Sequence, residues 1–570
     1  MKFFPHKAEN NRLLNQPSNK NRFDNTGLPD RLYHFCLHFV QICMAVFTGL
    51  LFISGFLSTC FSTDMSTQLV LTKWDFIPAS LLGMLLFGLF LWSGIRLTFR
   101  NNRPNSLTLL RFLVSGWCVL AGLALIVFGR TAPTADPRTV YTIAESLAAG
   151  NLDAIHPTDS YLSYYPHQLG LAAFWELLIR LWNLLPLSTP AYHFLKLVNV
   201  FLCLVIVIYG EKFVHALWAD EKTDCLYLLL AGLNCPLLMY TSFIYGEIPS
   251  YAAVTVAFYL LVRLVRSAPS SNEASSRNLR FRLQIGTLAF GTFFFTTLSV
   301  LLRKNSLIFV IAAVIVLLLE GPRRRRGVAL LLAAACAAGS LLILPGVQKI
   351  YEIRSGGSLS SGVPAISYFA MGMQESSRAN GWYNGFNFYT YQDTGLSTEA
   401  TTAISLEAIR ERMAYMKDHP GYAAQFYLMK YLSQWADGTY ACRQSTLATF
   451  GGRHPVFTSL YEGELCSCLI FYCNIYQNIL YLGAFWFCLA SLRPSSSSES
   501  PSEDFRLVFY SGLIASFGGF LFHMAWEGNS RYILPYGLAL LPYTARGLVL
   551  LYRRLAVLCR RLSKSGSPSG

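Results

Sequence analysis

Three short stretches carry side chains able to move protons or hold anions. The first, TAPTADPRTVYTIAESLAAGN (131–151), sets Asp136 just beyond an apolar run, with Arg138 two residues on. An acid at a membrane boundary can act as general base for an alcohol or amine. Asp136 can equally be the N-cap before Pro137. The second, SYLSYYPHQLG (160–170), offers Tyr164, Tyr165, His167 and Gln168. Tyrosine faces can pack on a sugar ring or form an interfacial belt. The His–Gln pair falls in the first turn of a helix, where free N–H groups favour an anion. The third, WEGNSRYILPY (526–536), holds Glu527 and Arg531 four residues apart. They can pair with each other, or Arg531 can present its fork to a phosphate. YGE (245–247) adds Glu247, and RKN (303–305) adds Arg303 and Lys304, a cationic pair suited to a lipid phosphate. Asp159, in HPTDSYL, is the reserve base.

The elements that must position these groups are helices in a bilayer. Of the 570 residues 53% are hydrophobic and 14% charged, against about a quarter charged in soluble chains. Twelve apolar runs read as spans: 34–60, 76–97, 107–128, 191–210, 225–244, 248–266, 282–302, 305–319, 327–346, 466–490, 507–525 and 532–552. The basic stretches 96–103, 277–282, 323–326 and 553–564 mark cytoplasmic loops by the positive-inside rule, with both termini inside. The net charge of +15 therefore belongs to loops facing the cytoplasm, not to a nucleic-acid surface.

That orientation leaves one apolar run too many between 129 and 267. The run 167–186 carries Glu176 and Arg180 at helical spacing with Trp175 and Trp182, which predicts a helix lying along the outer surface. The alternative is a true span with a buried Glu–Arg pair. The segment 347–465 reads as a small extracytoplasmic helical cap, with Ile409, Met413 and Met416 on one helix face. The expected division is a tail (1–33), two added helices (34–106), a membrane core (107–346) with its outer loop at 129–190, the cap, C-terminal helices (466–552) and a basic tail (553–570). Fourteen cysteines show no metal-site spacing; Cys442 with Cys466 or Cys468 is a possible outer bridge. No phosphate-binding glycine motif points to a nucleotide.

The acid after an early span, the YYPHQ stretch, MGMQESSRANGWYNG (371–385), KYLSQWADGTY (430–440) and WEGNSRYILPY together resemble the polytopic glycosyltransferases of the C superfamily. The resemblance is closest to bacterial relatives of protein O-mannosyltransferases and the lipid A aminoarabinose transferase, over residues 107–552. It implies an all-α fold of about twelve membrane helices and transfer of a hexose-type sugar, with inversion, from a polyprenyl-phosphate donor. The acceptor would be a cell-envelope glycan, lipid or protein outside the plasma membrane. No cofactor is implied, and metal dependence is left open. Asp136 matches the family's first-loop acid, with Arg138, Arg303, Lys304 and Arg531 toward the donor phosphate. Pro137 after Asp136 departs from the adjacent acidic pair of the protein mannosyltransferases. Trp382, Tyr383, Asn384 and Trp435 could meet an acceptor or form the cap's core. A transporter of lipid-linked saccharides, or a polysaccharide polymerase or ligase, would share much of this pattern.

Overall fold

Inside a bilayer a backbone must satisfy its own N–H and C=O groups, so the long apolar runs become helices. The computed structural model describes residues 28–62, 69–100, 105–156, 158, 160–186, 188–267, 279–324, 326–492 and 507–565. Helices α1 (Leu28–Leu57) and α2 (Ile77–Phe99) are joined by an antiparallel hairpin of β1 (Ser58–Ser62) and β2 (Val70–Trp74). Next come α3 (Ser106–Ala124), ending in a π-helical turn (Leu125–Gly129), then α4 (Ala135–Ala148), α5 (Tyr161–Tyr164) and α6 (Leu169–Asn183). The core continues with α7 (Ala191–Trp218), α8 (Glu221–Gly232), α9 (Cys235–Tyr240), α10 (Glu247–Ser267), α11 (Leu279–Leu302), α12 (Leu307–Arg324) and α13 (Arg326–Ser355). The cap contributes α14 (Ala365–Gly372), α15 (Phe386–Asp393), α16 (Thr398–Asp418), α17 (Pro420–Trp435), α18 (Cys442–Ser445) and α19 (Pro455–Glu462). Three membrane helices close the chain: α20 (Glu464–Ser491), α21 (Ser511–Ala525) and α22 (Leu534–Ser565).

Among the described residues eleven helical segments are long and apolar enough to cross a membrane. The chain is a multi-pass, essentially all-α membrane protein. The expected span 225–244 is not one of the eleven. It breaks between α8 and α9, where Asn234 caps the second helix by accepting from the Leu237 N–H at 2.9 Å. Pro236 then sits in the first turn of α9, a position it favours because the N–H there needs no intrahelical partner.

Helix α6 has fifteen residues, which rise about 22 Å, short of a hydrocarbon core of about 30 Å. Of its two charged residues Arg180 is exposed, but Glu176 does not face water as a surface helix would have it. Glu176 is buried and accepts from Arg180 Nε at 2.9 Å, Arg354 Nη2 at 3.3 Å and the Tyr351 hydroxyl, tying α6 to the end of α13. Burial opposes that carboxylate's charge, but these donors outweigh it and lower its pKa.

The cap has its own small core of Ala370, Met373, Ile409, Met416 and Phe426. Met413, expected on the same face, is exposed instead. Trp435 is fully buried and Trp382 nearly so, its indole N–H donating to Ser433 at 2.9 Å, so both belong to the packing. Asn384 is exposed and bonds back to Gln374 at 2.9 Å. The hairpin hooks onto this cap: Cys60 N–H donates to the Ala436 carbonyl at 2.8 Å, and Val70 N–H to that of Arg378 at 2.9 Å. Arg443 reaches the Ser62 carbonyl at 3.3 Å. The bridge that Cys442 could have made with Cys466 or Cys468 does not form. All fourteen cysteines are free, and Cys442 is buried against Met239.

Candidate functional site

Where cap meets membrane helices, a cavity of about 370 Å³ gathers residues distant in sequence. Asp136 enters it from the first turn of α4. The chain arrives there through the π turn of α3, then Arg130 at φ 46° and Ala135 at φ 47°. Both lie in the left-handed region that a Cβ disfavours. Thr134, not Asp136, is the N-cap. The capping alternative for Asp136 therefore falls away, and its carboxylate makes no hydrogen bond among the described residues.

The facing wall is cationic. Arg303 stands in extended backbone where α11 ends (φ −158°), and Lys304 opens the 3-10 turn Lys304–Ser306. Arg531 comes from the 3-10 turn Ser530–Ile533. Behind them lies Glu247 at the start of α10, 2% exposed and outside the cavity lining. Arg303 Nη1 is 2.6 Å from Glu247 Oε1, and Arg531 Nε is 3.3 Å from the same oxygen. Neither contact has hydrogen-bond alignment, so both Glu247 oxygens lack a donor. Arg303 and Arg531 also lie over the Tyr245 and Tyr532 rings at 5.5–5.7 Å. Lys304 is exposed and has no carboxylate partner among the described residues. Three cations against one carboxylate leave the wall positive.

Glu527 lines the cavity but does not pair with Arg531. It is 8% exposed and accepts from the Tyr532 hydroxyl at 3.3 Å. Burial pushes its pKa up to about 7, with Asp136 adding to the rise and Arg531 opposing it. His167 and Gln168 form the 3-10 turn Pro166–Gln168 ahead of α6. Desolvation, with Lys304 and Arg303 nearby, pushes His167 down to about 3. It is therefore neutral at physiological pH. Gln168 Nε2 donates to the Tyr245 hydroxyl at 2.5 Å.

The cavity thus brings together Asp136, Tyr165, His167, Gln168, Arg303, Lys304, Glu527 and Arg531. It leaves out Tyr164, which is buried with its ring stacked on Phe388 at 4.8 Å in the cap, and Arg138, which points to solvent from α4. Asp159 lies outside the described residues. Sequence reasoning missed Tyr161, Tyr245, Tyr368, Asn387, Trp526 and Tyr532, all of which line it. Tyr245 and Tyr532 lie inside stretches already quoted, YGE and WEGNSRYILPY, beside the charged residues singled out there. Tyr368 and Asn387 had no such signal. Leu302, Leu307, Ile308 and Ile311 also line the cavity and give it apolar surface, and Ile311 is 52% exposed. The arrangement can hold an anion beside apolar chain while a carboxylate receives a proton. No group of three His, Cys, Asp or Glu among the described residues is placed to hold a metal ion.

No protein-family model and no curated protein sequence matches this chain. Among solved structures, those of the oligosaccharyltransferase of Archaeoglobus fulgidus, AglB, match this chain at low similarity. One, in complex with an inhibitory peptide and a dolichol-phosphate, is 14% identical with a TM-score of 0.42, covering 81% of this chain and 52% of its own. The same organism's enzyme tethered to an acceptor peptide gives 13% and 0.41 over 79% and 50%. Its apo form gives 12% and 0.43 over 81% and 52%. The chain spans about half the length of these proteins.

Proposed function

We propose that this protein is a membrane glycosyltransferase of the C superfamily, moving a sugar from a polyprenyl-phosphate donor to an acceptor outside the membrane. One observation carries the reading: a cationic wall of Arg303, Lys304 and Arg531 shares a cavity with the unbonded carboxylate of Asp136. The apolar side at Ile308 and Ile311 suits the first units of a lipid carrier. In the proposed reaction the acceptor's hydroxyl or amine attacks the anomeric carbon, and its proton passes to Asp136. The sugar–oxygen bond to phosphate breaks, and the departing phosphate is stabilised by the three cations. Attack from the side opposite the phosphate gives inversion. The acceptor's class, a cell-envelope glycan, lipid or protein, is set by groups the cavity alone does not name.

The test is purified protein incubated with a panel of polyprenyl-phosphate sugars, with released carrier followed by mass spectrometry. Release with at least one donor is expected. Asp136→Asn should slow it by roughly 10²–10⁴-fold, the usual range for a lost general base, without loss of donor binding. Intact donor moved across a liposome membrane, with no release, would make the protein a transporter instead.

A further inference from the structure

Lys196 has no place in the site, yet it is among the least affordable side chains in the protein. It is 0% exposed on membrane helix α7, with no carboxylate in ion-pair range among the described residues. A charge taken out of water without a counter-ion is strongly unfavourable, and in membrane helices such residues mark function. Its Nζ donates to a single acceptor, the backbone carbonyl of Thr131, at 2.5 Å. The Tyr192 ring lies 4.7 Å from it and Phe450 6.0 Å, so aromatic faces supply the remaining stabilisation.

Thr131 is in the short strap that delivers Asp136. Arg130 on one side and Ala135 on the other hold left-handed backbone, a conformation that persists only where the surroundings impose it. The cap supplies part of the constraint: Ala132 N–H donates to the Ala448 carbonyl at 2.6 Å, and Phe450 N–H to that of Arg130 at 2.8 Å. The Thr131 hydroxyl donates to Ser242 at 3.3 Å, and helix α7 adds a further hold. Tyr192 packs edge-on against Tyr141 of α4 at 5.2 Å and against Phe450 at 5.6 Å, while Lys196 grips the strap between them. A charged donor makes a stronger bond to a carbonyl than a neutral one, which fits a strap under strain.

We propose that Lys196 is a positioning residue that locks the 130–135 strap and thereby aims Asp136 into the cavity. The proposal rests on Asp136 being the base. Lys196→Met keeps the length and removes the bond. The change leaves the Thr131 carbonyl without its donor and so costs stability in either case, but a residue serving only the fold predicts unchanged turnover in the folded protein. The positioning role predicts a fall in kcat of roughly 10–100-fold, the scale of a misplacement of about 1 Å. Donor KM should stay within about twofold, because the phosphate wall stands on other elements.

The decisive comparison is the double variant. If Lys196 acts through Asp136, then Asp136→Asn with Lys196→Met is no slower than Asp136→Asn alone. Multiplied losses would overturn the proposal, as would parental kcat in Lys196→Met. Should Lys196→Met fail to fold, Lys196→Leu, which also removes the donor, enters the same cycle with the same two outcomes. Parental turnover in Asp136→Asn would sink the base and this role together. A slow Asp136→Asn beside a parental Lys196→Met would sink this role alone.

Discussion

Lys304 and Arg531 face the same cavity but differ in what else they hold. Lys304 is exposed and touches no carboxylate among the described residues, so Lys304→Ala removes only the contact proposed to the donor. Hydrogen bonds to charged groups are worth about 1.5–3 kcal/mol, which makes a loss of donor affinity of about tenfold or more the expected result, with thermal stability unchanged. Parental affinity in a donor-binding titration would take Lys304 out of the phosphate site. Arg531→Ala removes a contact to buried Glu247 as well, so it should lose both affinity and stability. Glu527 reports on pH. Its carboxyl sits near 7 in the fold against 4.5 unperturbed, so the folded state holds the proton more tightly than the unfolded chain. The stability this gives is complete below about pH 4.5 and is lost as pH rises through 7. Glu527→Gln is neutral throughout and should be the more stable protein at pH 8, by up to about 3 kcal/mol, and equal to the parent near pH 4.5. Melting curves that stay parallel across that range would refute it. At this scale the sequence was readable where a residue was out of place, as with Arg303 and Lys304, which interrupt the apolar sequence between two membrane helices. Asn387 and Tyr368 were unreadable because their approach to the cavity depends on how the cap docks.

The end of α11 shows how elements set a side chain. Gly246 packs against it so closely that an added Cβ would stand 2.6 Å from the Leu302 carbonyl and 3.3 Å from Arg303 Cβ. Gly170 of α6 meets the Leu301 carbonyl in the same way. Neither backbone oxygen can yield without moving Arg303. Gly246→Ala should therefore cost about 1–3 kcal/mol of stability, as overpacking generally does, and should weaken donor binding by displacing Arg303 from Glu247. A variant with parental melting temperature and affinity would show that the contact relaxes freely. Helix α6 makes a second prediction. Cysteines at Thr158 and Ser188, both exposed and flanking it, should both react with an impermeant reagent from the same outer side. Labelling from opposite sides would make α6 a span. The Glu176–Arg180 pairing was legible, but the burial of Glu176 was not, because Tyr351 and Arg354 lie far away in sequence. The division of 225–244 was legible in principle: Asn234 and Pro236 are a helix start signal set inside an apolar run.

For the whole molecule, hydropathy was enough to find the membrane helices, since bilayer thickness and backbone hydrogen bonding leave the chain few choices. The arrangement of the cap was not readable, because short helices such as α14 and α15 take their places from partners elsewhere in the chain. The α1–α2 pair looked like an addition to the shared core, and the structure gives it a use: its hairpin bonds to Ala436 and Arg378 of the cap. This bears on how the protein is made. Trp74 leaves the ribosome roughly 360 residues before Ala436, which at 5–20 residues per second is about 20–70 s. For that interval the outer edge of the hairpin has N–H groups with no cap to receive them, and an open strand edge invites foreign pairing. Order of synthesis thus becomes order of assembly. The earliest pair of helices is a waiting template, and a shortened chain that begins at α3 would dock its cap without the hairpin's bonds to Ala436 and Arg378.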